Sequence, residues 1–315
     1  MKADPRMPHS CSVIICTRDR AASLRETLAA IGAVAVPAGM ETEVIVVDNA
    51  STDRTAEVAK SARLPNSACR YLHEARGGQC FARNTGIAAA TGQIIVFTDD
   101  DVVPCRNWLA ALCSPIAEGR ADAVAGEIVL APDLLRPWMT RMHRNWLAST
   151  ECDPGAAPRM VGANMAFSRR VLEKVPAFDT ELGPGRLGFG DDVVFGEQLA
   201  AAGYRIVAAP DAVVEHHFDP SRLTRASFLD AARKHGRTMG YVDFHWRRRI
   251  PGRLRARLAY AAARLAAWRA CHPLQFFRTE GAEAAEMYHV QTLHYVRQLR
   301  REQQRAGSLV VEDRR

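Results

Sequence analysis

Over the first hundred residues, short apolar runs alternate with helix-like stretches. The runs at 12–16, 43–47, 70–73 and 93–97 are rich in strand-forming residues and lack a clean in–out alternation, which predicts strands covered on both faces. Between them, 21–31, 55–62 and 79–90 read as helices, and Ser51-Thr52-Asp53 supplies N-cap oxygens ahead of the second. Strands separated by helices in this way predict an α/β domain built on a mainly parallel sheet.

Past residue 100 the alternation weakens. Residues 124–130, 161–168, 204–208 and 212–215 read as strands, 191–202 as a helix, and 131–158 as an irregular, proline-bearing stretch. From about 221 the pattern turns helical and basic. The expected organisation is a flexible stretch 1–9, an α/β domain over 10–220 and a basic helical region over 221–315. No internal repeat or low-complexity tract interrupts it.

Charge sharpens that division. The formal net charge is +7, yet residues 1–220 carry 22 Lys and Arg against 27 Asp and Glu, whereas 221–315 carry 20 against 8. The two parts therefore face different partners. No run of 18 uncharged apolar residues exists, and the polar start MKADPRMPHS does not read as a secretory signal. Eight scattered cysteines without a CxxC argue for thiols in a reducing cytoplasm and against a zinc site.

In a doubly wound sheet, ligands bind beyond the carboxyl ends of the strands. Three expected strands end at Thr17-Arg18-Asp19, at Asp48-Asn49 and at Asp99-Asp100-Asp101. Adjacent carboxylates repel one another, and a divalent cation held by oxygen ligands would screen that repulsion, although a solvated acidic turn reads as well from these residues alone. Asp191-Asp192 opens a helix after Gly188-Phe189-Gly190; there it offers either a general base or plain capping. His216-His217 offers an imidazole to a metal or a packed histidine. The stretch 76–86 brings Arg76, Arg83 and three glycines together, in neither a Walker nor a dinucleotide-binding spacing.

These pieces in this order resemble family 2 glycosyltransferases, inverting enzymes of the GT-A fold. The resemblance covers about 10–220. It rests on Ser12-Val13-Ile14-Ile15-Cys16-Thr17, Val46-Val47-Asp48-Asn49-Ala50-Ser51-Thr52-Asp53, Ala82-Arg83-Asn84-Thr85-Gly86 and Thr98–Asp101. It continues through Gly162-Ala163-Asn164-Met165, Phe178-Asp179, Gly190-Asp191-Asp192 and the segment from Pro210 to His216. It implies a GT-A-type nucleotide-binding domain with a mixed, mainly parallel sheet and a basic helical C-terminal extension.

By position, the resemblance implies that Thr17 and Asp48 hold base and ribose, with Arg76 and Arg83 contributing to nucleotide or phosphate binding. Asp99 and Asp100 fall on the donor side, Asp101 and His216 on a Mn2+ or Mg2+ ion, Asn164 and Asp191 on the acceptor side, and Asp192 on the base. The division of labour among the three aspartates, and His216 against His217, stays open. The commoner Glu-Asp pair is Asp191-Asp192 here. The implied partners are a nucleotide-sugar donor, with UDP the first expectation, and a glycan or lipid-linked acceptor.

Residues 247–269 place Leu254, Leu258, Ala261, Leu265 and Trp268 on one helical stripe flanked by arginines. That pattern reads either as an anionic-membrane contact, giving a cytoplasmic protein peripheral to the inner face, or as a helix packed on the rest of the chain. No nucleic-acid motif accompanies the charge. A sugar nucleotidyltransferase is the alternative enzyme, but it calls for a glycine-rich loop after the first strand, where Cys16-Thr17-Arg18-Asp19-Arg20 has none. An inactive GT-A-like binding protein is the other alternative.

Overall fold

A computed structural model describes residues 10–151 and 157–312, with side chains through residue 306. The expected flexible stretch 1–9 and the last three residues of the chain lie outside the described residues. The described residues fall into two compact units.

The first unit, 1–135, 147–181 and 191–218, carries one eight-stranded sheet. Its strands are β1 (Ser10–Thr17), β2 (Glu41–Asp48), β3 (Ala68–His73), β4 (Ile94–Thr98), β5 (Val102–Pro104), β6 (Ala123–Leu130), β7 (Asn164–Ser168) and β8 (Ile206–His216). Their order is β3-β2-β1-β4-β7-β6-β8-β5. The β1–β2, β2–β3, β1–β4 and β6–β8 pairs are parallel; β7 runs antiparallel to β4 and β6, and β5 to β8. The expected helices appear as α1 (Ala21–Gly32), α2 (Thr55–Ser61) and α3 (Gln79–Ala89). The core joins the inward residues of β1, β2 and β4 to Leu24, Leu28 and Ile31 of α1 and to Trp108, Leu109 and Leu112 of α4 (Trp108–Ala117). Gly86 lets α3 approach β1: a Cβ there would lie 2.5 Å from the Ile14 side chain.

Three features were not read from the chain. The first is α4, and the second is the three-residue edge strand β5, too short for any periodicity. The third is that the expected strands 204–208 and 212–215 are one strand, β8. Its register against β6 shifts between Gly126 and Glu127, so that Gly126 pairs with Ala209 but Glu127 with Val213. Pro210 sits in that irregularity, where a missing N–H costs no ladder bond.

The second unit comprises 136–146, 182–190 and 219–315. Its helices are α5 (Arg141–Trp146), within the stretch expected to be irregular, α7 (Arg225–His245), α8 (Leu254–Cys271) and α9 (Ala284–Glu312); α6 (Asp191–Ala201) belongs to the first unit. Thr224 caps α7, its Oγ1 accepting from the Ser227 N–H at 3.2 Å. Gly236 and Gly240 bring α7 against the backbone of α9: a Cβ at either would lie 2.2 Å from the Gln291 oxygen or 2.7 Å from that of Tyr295. His235 is stacked between Phe189, at 3.8 Å, and Trp146, at 4.4 Å, which ties both inserted segments to α7.

The stripe on α8 faces inward. Leu254, Ala261 and Leu265 are buried, and Leu254 packs with Val296 and Leu299 of α9, so these residues are not available to lipid. Packing on a neighbouring helix removes the same apolar area from water that a bilayer would, and the pattern alone does not separate the two. No helix among the described residues is long and apolar enough to cross a membrane, and no disulfide joins the described cysteines.

Candidate active site

The parallel registers bring the polar strand ends to one level. Thr17 pairs with Asp48, Asp48 with His73, and Ile15 with Thr98, so the aspartates that follow β4 stand beside the end of β1. β5 then turns back to pair with β8, setting Val102 opposite His216, while the His217 N–H donates to the Asp101 carbonyl at 2.7 Å. A strand of three residues thus joins the acidic corner to the histidine.

His216, not His217, enters the site. Its Nε2 lies 3.2 Å from Asp101 Oδ1, and its Nδ1 faces the Leu147 carbonyl at 2.9 Å. His217 points away, 2.7 Å from the exposed Glu215 carboxylate. With Nδ1–H committed to a carbonyl, Nε2 is the nitrogen left for a ligand. An imidazole and a carboxylate at this spacing fit a divalent cation, although no cluster of three His, Cys, Asp or Glu that would cage one occurs among the described residues.

Arg20 was not anticipated. Its guanidinium lies 2.5 Å from Asp101 Oδ2 and 3.3 Å from Asp100 Oδ1, a positive charge beside the carboxylate a cation would use. Only the parallel pairing of β1 with β4 shows why a basic residue three positions past Thr17 belongs here. Burial works against ionising Asp101, but the adjacent His216 ring and the Arg20 guanidinium outweigh it, and its carboxyl sits well below the usual range. Burial pushes Asp100 up to about 7 against the pull of Arg20. Thr17 Oγ1 is buried beside Asp100 without a hydrogen-bond partner of normal geometry, an orphan that a ligand could satisfy.

A second charged group lies at the start of α6. Arg83 is buried, is ion-paired with the buried Asp191, and lies 4.0 Å from Asp99; its guanidinium also sits over the Phe178 ring at 5.2 Å. Burial and the neighbouring Asp191 charge push half-buried Asp192 up to about 6, although Arg83 and the Gly162 N–H, 3.2 Å from Oδ2, pull the other way. A Cβ at Gly162 would fall 1.8 Å from an Arg83 nitrogen, so any side chain there would displace the guanidinium.

Several of the expected site residues are engaged by other protein groups. Asn164, expected on the acceptor side, is wholly buried, accepts from Trp108 Nε1 at 2.8 Å, and donates to the carbonyls of Glu127 and Ala212 at 2.8 and 2.7 Å. Those two carbonyls flank the register shift of β8, so Asn164 plugs the irregularity. Asp191 is ion-paired with Arg83. Arg83 faces the carboxylates of Asp191 and Asp99, and Arg76 is held bidentately by Glu74 at 2.9 and 2.7 Å while lying over Phe81. Asp48 stays at the strand end, accepting from Tyr71 OH at 3.0 Å and the Ser51 N–H at 2.9 Å. Asn49, noted in the sequence only as part of a polar strand end, accepts from the Gly78 N–H at 2.9 Å and donates to the Arg76 carbonyl at 2.6 Å, which fixes the loop into α3.

Comparison with known proteins places this geometry in context. The model of the family described as Glycosyl transferase family 2 matches residues 12–176. Glycosyltransferase AglE of Haloferax volcanii is 28% identical over 212 residues, covering 66% of this chain and 67% of that protein. The pre-mycofactocin glycosyltransferase of Mycobacterium tuberculosis is 27% identical over 230 residues, covering 68% of this chain but only 45% of its own length. A mannosyltransferase of Pyrobaculum calidifontis, PcManGT, solved in complex with GDP-Man and Mn2+, superposes with a TM-score of 0.62 at 24% identity, covering 94% of this chain and 88% of that one.

Proposed function

We infer from membership of glycosyl transferase family 2, to which this chain belongs, that the protein moves a sugar from a nucleoside diphosphate to an acceptor hydroxyl, with inversion at the anomeric carbon. Its mixed sheet and helical C-terminal region are those of a GT-A protein. The donor we propose is a UDP-sugar and the acceptor a glycan or lipid-linked hydroxyl. The observation that most supports this reading is the meeting of Asp101 and His216, at 3.2 Å, beside the ends of β1 and β4.

In this scheme Thr17 and Asp48 receive the base and ribose, and Asp99 the ribose edge. Asp101 and His216 would hold a Mn2+ or Mg2+ ion, which when bound supplies Lewis-acid stabilisation of the departing diphosphate. Asp192 accepts the proton of the acceptor hydroxyl as its oxygen attacks the anomeric carbon; the bond from that carbon to the diphosphate oxygen breaks, and the leaving group keeps the electron pair. One displacement inverts the centre, and no enzyme nucleophile is needed. The raised Asp192 carboxyl suits a base that must be ionised near neutral pH yet basic enough to take the proton. Arg83 and Asp191 hold the start of α6 in place, and the Gly162 N–H orients the base. We assign the basic helical unit to an anionic membrane surface, giving a peripheral protein at the inner face.

A thermal-shift panel of UDP-, GDP- and dTDP-sugars with and without Mn2+ tests the reading. One donor is expected to raise Tm by several degrees only when Mn2+ is present, and to be consumed in a transfer assay. A chain indifferent to every donor, with and without metal, would not be acting as proposed.

A further inference from the structure

The 36 residues from 244 to 279 contain no Asp or Glu and nine arginines. Within them α8 has two different sides. The side bearing Leu254, Ala261 and Leu265 is buried, while the opposite side presents Ala256, Ala259, Tyr260, Ala263 and Ala267 to solvent, Tyr260 with 66% exposure. Arg255 lies to one side of that face, and Arg257 and Arg264 to the other; all three are exposed and pair with no carboxylate among the described residues. A shallow groove lined by Gly252, Arg253, Ala256, Arg257 and Tyr260 opens at the start of the helix.

The helix runs directly into a 3-10 turn, Pro273–Phe277, that holds three large apolar side chains in water. Leu274 is 79% exposed, Phe276 56% and Phe277 82%. Arg269 and Arg278, flanking the turn, are paired with Glu286 and Glu283, which anchors its base. Protruding apolar side chains beside an unpaired arginine surface are poorly suited to water alone.

We propose that the outward face of α8 and the turn at 273–277 dock on an anionic lipid bilayer, with Leu274 and Phe277 entering the acyl boundary and Arg255, Arg257 and Arg264 meeting lipid phosphates. The proposal rests on the peripheral-membrane reading above and replaces its surface: the buried stripe of α8 gives way to the opposite face. A second copy of the chain is a poor occupant, because an isologous contact would set these arginines against themselves. An anionic bilayer satisfies both the charge and the apolar turn, with the arginine stems lying along the apolar boundary.

Co-sedimentation of the full chain with phosphatidylcholine vesicles, with and without phosphatidylglycerol, tests it. The wild type is expected to bind the anionic vesicles only. Leu274→Ser/Phe277→Ser is expected to weaken that binding at least about tenfold with Tm unchanged, and Arg255→Gln/Arg264→Gln to weaken it and flatten its salt dependence. Failure of the wild type to bind either vesicle would overturn the peripheral reading itself. Wild-type binding that the Leu274/Phe277 variant retains in full would overturn this surface alone. A change in monomer–dimer equilibrium in that variant, seen by sedimentation velocity, would assign the surface to a second copy and overturn the lipid proposal.

Discussion

The sheet-bearing unit and the helical unit carry charge in different ways. In the first, the charged groups at the strand ends are buried or half-buried and face one another: Arg20 with Asp100 and Asp101, His216 with Asp101, Arg83 with Asp191. Among its described residues the second pairs buried carboxylates too, Glu286 with Arg225 and Arg269, Asp243 with Arg247 and Glu302 with His245, but much of its remaining charge is exposed arginine. Buried charges persist only when partnered, so their positions are fixed by tertiary contacts, and removing one partner exposes the other to a large desolvation penalty. Exposed charges of one sign cost the fold little and can be placed for a partner. Stability is therefore expected to be sensitive to single charges in the first unit and tolerant of surface changes in the second.

The largest expected effect is on turnover. Asp192→Asn is expected to lower transfer by about 10³-fold while nucleotide binding survives, since a positioned base typically contributes 10²–10⁴. Wild-type activity should rise with pH through about 6, as Asp192 ionises. The stability effect has the opposite sign. A carboxyl whose folded pKa is raised above its unfolded value leaves the native state holding the extra proton, so stability falls as pH climbs from about 4 to about 6. The same variant should therefore melt a few degrees above wild type at pH 7 and match it near pH 4. A variant that keeps near-normal turnover would remove Asp192 as the base.

Arg83→Met comes next. It leaves Asp191 buried without its partner and should cost about 3–5 kcal/mol in urea unfolding. Arg20→Gln should cost less, about 1–2 kcal/mol, because Arg20 is only half-buried. It should also enlarge the Tm rise given by Mn2+ alone, since the two aspartates then lack a neutralising charge. An equal rise in variant and wild type would mean that Arg20 does not stand in for the cation. At the small end, Leu274→Ser/Phe277→Ser removes side chains that are mostly in water and should change stability by no more than about 0.5 kcal/mol. A drop as large as that of Arg83→Met would break the contrast between the units.

The chain itself carried the first three strands and helices, the polar strand ends, and the basic character of the helical region, because apolar runs and charge counts are local properties. It also carried the order of motifs on which the family resemblance rests. That order offers Asp101, Asp192 and His216 as candidates but does not show which side chains surround them. Arg20 meets Asp101 only because β1 pairs with β4, and His216 is chosen over His217 only because three residues of β5 pair with β8. That Asn164 bonds across a strand irregularity and that Asp191 is a counterion for Arg83 came only from the fold. On α8, the apolar stripe was legible, but which side meets protein was not, because hydrophobic burial is non-directional and a neighbouring helix satisfies it as fully as lipid. Residue types and periods were local and could be read; partners across the sheet, and the side a helix turns inward, were decided by pairing register and packing between segments far apart in the chain.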